Sequence, residues 1–163
     1  MNTKQAIRAS ANLCRMVLKS YFSDMTDAEL MERPGEGCNH LAWQLGHLIA
    51  SECMLLENVV PGAAAELPDG FAEKHDKATQ GDNDPTNFCS KAEYEQLLDK
   101  VLEASMAALE SLSDEDLDKP SPEHFAQFAP THGDIFALIA SHPMMHAGQF
   151  VPVRRRLGKP VLM

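Results

Sequence analysis

Apolar residues recur at helical spacing along most of the 163-residue chain, and strand-like alternation is weak throughout. From about Thr3 to Phe22, the residues Ala6, Leu13, Val17 and Tyr21 share one face, which predicts a first helix. The segment SDMTDAELMERP reads as a short capped turn of helix before Pro34. Gly35 and Gly37 then mark a loop. Asn39 carries a side chain suited to an N-cap, and HLAWQLGHLIASECMLLENVV continues as a second helix until Pro61 and Gly62 stop it. Ser90 with Glu93 forms a capping-box pattern that opens a third helix, whose Tyr94, Leu97, Leu98, Val101, Ala108 and Leu112 keep helical spacing. Thr131 with Asp134 repeats the device for a fourth helix, which ends at Gly158 before Pro160. Pro143 and Pro152 lie inside this last helix and each removes a backbone donor, so a break at Pro143 is its weakest point.

Four helices and no strand predict an all-α four-helix bundle. Residues 61–89, between the second and third helices, are far longer than the usual bundle connection of about 2 to 8 residues. Such a crossover lets two sequence-adjacent helices lie parallel, and its Gly, Pro and polar content suits a mobile lid over a site. The length and the 44% hydrophobic content suit a single domain over 1–163.

A formal charge of -10 and a pI near 5.0 argue against nucleic acid, whose binding rests on cationic side chains. The one basic run, Arg154 to Arg156, falls in the last turns of the fourth helix, where it complements the helix dipole. Cys14, Cys38, Cys53 and Cys89 form no CxxC pair and read as inert thiols. No segment approaches the ~20 apolar residues of a membrane span, and no leader peptide is evident. The expectation is a soluble, cytoplasmic protein that acts on a small molecule, with a homodimer admissible.

The chemistry concentrates at His142 and His146. Four residues apart on a helix, two imidazoles stand one turn above the other on one face, the spacing that a shared metal ion requires. Ile139, Gln149 and Val153 fall in the same stripe, flanked by Leu138 and Phe150, so both histidines point where the apolar residues point. Ser141, Met144, Ala147, Arg154 and Arg155 lie on the opposite, outward side. A catalytic zinc-type centre takes three protein ligands and leaves a position open. His47 shares a stripe of the second helix with Gln44, Ser51 and Asn58 and is one candidate for the third ligand. His40 looks like a helix-start residue, and His75, His124 and His132 look like surface residues, yet by composition any of them could serve instead.

Two blocks, NHLAWQLGHLIASE in the second helix and HPMMHAGQFVPVRRRLGKP in the fourth, resemble the DinB-like (YfiT-like) family of metal-dependent four-helix proteins, which includes bacillithiol and mycothiol transferases. The resemblance implies that one histidine of the second helix joins the HxxxH pair in holding a divalent metal, and the matching positions here are His47, His142 and His146. It also implies a thiol S-transferase that acts on small electrophiles with a low-molecular-weight thiol cosubstrate. A metal-dependent hydrolase and a non-enzymatic metal-binding stress protein are the alternatives, and a metal-free dimerisation domain is the fourth reading.

Imidazole suits several ions, with zinc or nickel foremost. No catalytic residue beyond the ligands is assigned. Pro143 stands where a HExxH metalloprotease carries its glutamate, which disfavours that mechanism. Glu52, on the second helix beyond His47, reads either as a proton acceptor near the metal or as a salt-bridge partner.

Overall fold

The fold was obtained as a computed structural model, which describes residues 1–161; the last two positions of the expected 1–163 domain lie outside the described residues. Among the described residues six α-helices occur: α1 Thr3–Phe22, α2 Asp27–Leu30, α3 Leu41–Val59, α4 Lys91–Ser111, α5 Asp114–Leu117 and α6 His132–Arg156. The four long ones, α1, α3, α4 and α6, form a four-helix bundle. Among the described residues no strand occurs, only an isolated bridge between Pro120 and Thr131. Among the described residues no helix is long and apolar enough to cross a membrane.

Local chemistry sets the helix starts. Capping boxes open α1 (Asn2 with Gln5), α2 (Thr26 with Glu29), α4 (Ser90 with Glu93) and α6 (Thr131 with Asp134), each satisfying otherwise orphaned backbone donors. The start of α3 differs from the expectation. His40, not Asn39, is the N-cap, and its Nδ1 accepts the Trp43 amide at 3.0 Å. The expected face of α1 is also shifted: Ala6 and Leu13 are exposed, and Ile7, Ala11, Cys14 and Leu18 form the buried seam beside Val17 and Tyr21. Helix α6 runs unbroken through Pro143 and Pro152.

Side-chain contacts give the helix directions. The ends of α1 and α6 meet, where Phe22 packs on Phe150 with ring centres 6.3 Å apart and Arg154 Nη1 donates to the Tyr21 carbonyl at 2.7 Å, so these two helices are parallel. The beginnings of α3 and α4 meet through His40 and Phe88, and Ser105 reaches Glu52 farther along, so they are parallel too. Each pair runs antiparallel to the other, with Lys19 on Asp99 and Gln44 on His146. The crossover at 61–89 makes the α3–α4 arrangement possible, and it contains three 3₁₀ turns, Glu73–His75, Lys77–Thr79 and Pro85–Asn87.

Helices α1 and α3 stand at diagonal corners of the bundle. Arg15 reaches Glu52 across that diagonal at 2.5 Å, with both side chains buried. At the far end Arg154 is fully buried, contrary to its expected outward position. It binds the Asp24 carboxylate and holds it below the usual carboxylate range, and Ala147 is likewise buried against α1 rather than outward-facing.

Candidate metal centre

Because α6 keeps its helical path through Pro143, His142 and His146 remain one turn apart on the face turned to α3. Their Nε2 atoms lie 3.2 Å from one another. Two nitrogens bound to one ion at about 2.0 to 2.1 Å would stand about 2.9 Å apart at a right angle and about 3.35 Å apart at the tetrahedral angle. The observed separation falls between these values. His47 arrives from the antiparallel neighbour α3, with its ring centre 5.5 Å from that of His142 and 5.4 Å from that of His146. One ring nitrogen from each of the three lies within 4.8 Å of the other two.

A chain of hydrogen bonds aims His146. The Gln44 amide nitrogen donates to the Asn39 carbonyl at 2.8 Å, which turns the Gln44 oxygen toward the histidine. His146 Nδ1 lies 3.0 Å from that oxygen and must carry the proton of the contact. Its Nε2 therefore keeps the lone pair and faces His142. An imidazole whose far nitrogen donates to an oxygen is the usual arrangement around a ligated metal.

His47 is held differently. Its ring stacks on Trp43, centres 5.0 Å apart and planes inclined by 8°. The Trp43 indole N–H is in turn fixed by the crossover, donating to the Asp76 carbonyl at 3.1 Å and lying 3.2 Å from Thr79 Oγ1.

Burial sets the protonation. It pulls His142 down to about 4 and His146 to about 3, with the neighbouring imidazoles adding to the effect, and it lowers His47 in the same direction. Three neutral imidazoles at pH 7 present three lone pairs and no compensating negative charge, a donor set that fits a divalent cation. Among the described residues this trio is the one group placed to share an ion.

The other candidates go elsewhere. Glu52 accepts from Arg15 at 2.5 Å and from Ser105 at 2.8 Å inside the bundle, so of its two sequence readings the salt bridge is the one that holds. His124 is exposed and His132 half-buried, while His40 is spent as the α3 cap. His75 is buried, contrary to its expected surface position. Its ring occupies the space above Gly46, where a Cβ would come within 2.0 Å of it. Nδ1 bonds the Phe71 carbonyl at 2.7 Å, and the Tyr94 hydroxyl donates to Nε2 at 2.9 Å. The crossover is thus pinned by His75 between α3 and α4 beside the site.

A model of the DinB superfamily matches residues 11–150. The chain belongs to the DinB superfamily. The fold of this DinB member is similar to that of YfiT from Bacillus subtilis, described as a probable metal-dependent hydrolase with an unusual four-helix bundle topology. The TM-score is 0.66 at 19% identity, over 96% of this chain and 89% of that one. No curated protein matches the chain.

Proposed function

We propose that this DinB-superfamily protein holds a divalent metal ion through His47, His142 and His146 and uses it to transfer a small thiol to small electrophiles. The observation that carries the reading is the approach of the two Nε2 atoms to 3.2 Å with His146 oriented by Gln44. When bound, the ion supplies a Lewis-acidic open position that lowers the pKa of a thiol or water held there. The chain's own residues supply orientation: Gln44 fixes the tautomer of His146, and Trp43 fixes the plane of His47. No carboxylate belongs to the trio, and Glu52 is committed to Arg15. That favours a nucleophile that needs no dedicated base, and a thiol, with an ordinary pKa of about 8.5, is closer to that condition than water.

Hydrolysis is the second reading, and it is favoured by the description of the structurally similar YfiT. Cobalt loading separates the two. For the transferase, adding a small thiol brings up a strong near-ultraviolet band and electrophiles are consumed only when thiol is present. A thiol-independent cleavage of esters or amides, with a spectrum indifferent to thiol, selects the hydrolase. Elemental analysis showing no more than background metal in the wild type and in His142→Ala alike removes both.

A further inference from the structure

Beside His47, between α3 and the crossover, lies an open cleft of about 290 Å³. We propose that it binds a small apolar alkyl or aryl group, the organic tail of the substrate whose reacting end faces the histidines; the word substrate rests on the reading above, whereas the binding itself does not.

The polar atoms of Trp43, His75 and Asp76 along the walls are already engaged. The Trp43 indole N–H bonds the Asp76 carbonyl, and both nitrogens of His75 bond Phe71 and Tyr94, so each ring turns carbon to the cleft. The Asp76 carboxylate accepts from the Ala78 amide at 2.6 Å. Ala50, Met54 and Ala72 complete the walls. Met54 is 46% exposed, a flexible thioether chain in water about two turns beyond a candidate metal ligand. Lys77 and Asp76 carry opposite charges, which gives the cleft no net preference for ions.

The inner end is polar and belongs to the metal centre. Ser51 lines the cleft, and its Oγ stands 3.5 Å from both ring nitrogens of His47, so the nitrogen-bearing edge of that histidine borders the same space. A bound molecule therefore meets carbon along its length and the His47 edge at one end. The ligand class that suits this layout is a short uncharged apolar chain or ring joined to a polar, electrophilic head.

The single tryptophan of the chain, Trp43, forms one wall and reports occupancy by its emission. Metal-free protein is titrated with N-methyl-, N-butyl- and N-hexylacetamide, which are inert. The half-saturating concentration is expected to fall about three- to fourfold per methylene while the tail remains inside the cleft. In Met54→Asp and Ala50→Leu, checked for helix content by circular dichroism, that length dependence should disappear. His142→Ala, which lacks a proposed ligand, should keep it, so loss of the metal reading leaves this result standing. Half-saturation that does not vary with chain length, or that varies equally in wild type, Met54→Asp and Ala50→Leu, overturns the proposal.

Discussion

His146 Nδ1 and the side-chain oxygen of Gln44 meet at 3.0 Å across the α3–α6 interface, and this contact decides which nitrogen of the histidine keeps its lone pair. Gln44 is itself buried and fixed by the Asn39 carbonyl, so the ring has no freedom to choose the other tautomer. Gln44→Leu preserves the volume and removes the acceptor. Metal affinity is expected to fall about 10- to 100-fold, the usual effect of deleting a partner behind a ligand, at unchanged helix content. Competition with a chromophoric chelator measures it, and an unaltered affinity would show that Gln44 does not act through the metal ligand.

Gly46 and His75 fit one another as slot and plug. In Gly46→Ala the new methyl would overlap the His75 ring, forcing it off Tyr94 and lifting the crossover from Trp43. Stability should drop by about 1 to 3 kcal/mol, the range for overpacking. Trp43 emission should shift to the red, and amide exchange at 71–79 should quicken. Adding His75→Ala relieves the overlap, so the double variant should lose less than the two single losses added together. Strict additivity would mean that the two residues do not share the space.

How far the sequence could be read depended on how local each cause was. The boxes at Ser90 and Thr131 operate within four residues, and the HxxxH stripe within one turn, so the helix starts and the pairing of His142 with His146 were visible. His47 was selected from several histidines by resemblance, because its approach to α6 is set by the packing of two helices and not by its neighbours in the chain. His75 escaped because its burial depends on an absent side chain at Gly46, and Arg154 because its partner Asp24 sits at the end of α1. Gln44 stands in the same stripe as His47, and that shared face is the sequence signal for an amide that orients a neighbouring imidazole.

His40 ties stability to pH. Its pKa is lowered from 6.5 to about 4, first by burial and then by the nearby Arg33 guanidinium, and its neutral Nδ1 caps α3. Between about 4 and 6.5 the unfolded chain binds a proton that the folded chain refuses. The His40 contribution is therefore complete above 6.5 and is lost as pH falls toward 4. His40→Asn keeps a capping side chain and has no such titration. Urea denaturation at pH 7 and pH 5 should show a smaller loss for this variant than for the wild type. His47, His75, His142 and His146, lowered in the same direction, leave a residual slope in both. An identical loss in the two proteins would remove His40 as a source of the pH dependence.

Arg15 and Glu52 make a stronger case for stability than for chemistry. Burial raises the Glu52 carboxyl, with Arg15 and Ser105 opposing the shift, and Arg15 Nε and Nη1 have no hydrogen-bond partner. A buried pair left with one partner is costly, so Glu52→Leu alone is expected to destabilise by about 3 to 5 kcal/mol. Arg15→Met with Glu52→Leu removes both charges and both unsatisfied nitrogens, and it should recover most of that loss or exceed the wild type by about 1 to 4 kcal/mol. Metal affinity and any thiol-dependent turnover should be the same in the double variant as in the wild type, because the pair points away from the histidines along the α1–α3 diagonal. Turnover that collapses in the stable double variant while metal stays bound would return Glu52 to the reaction as a proton acceptor.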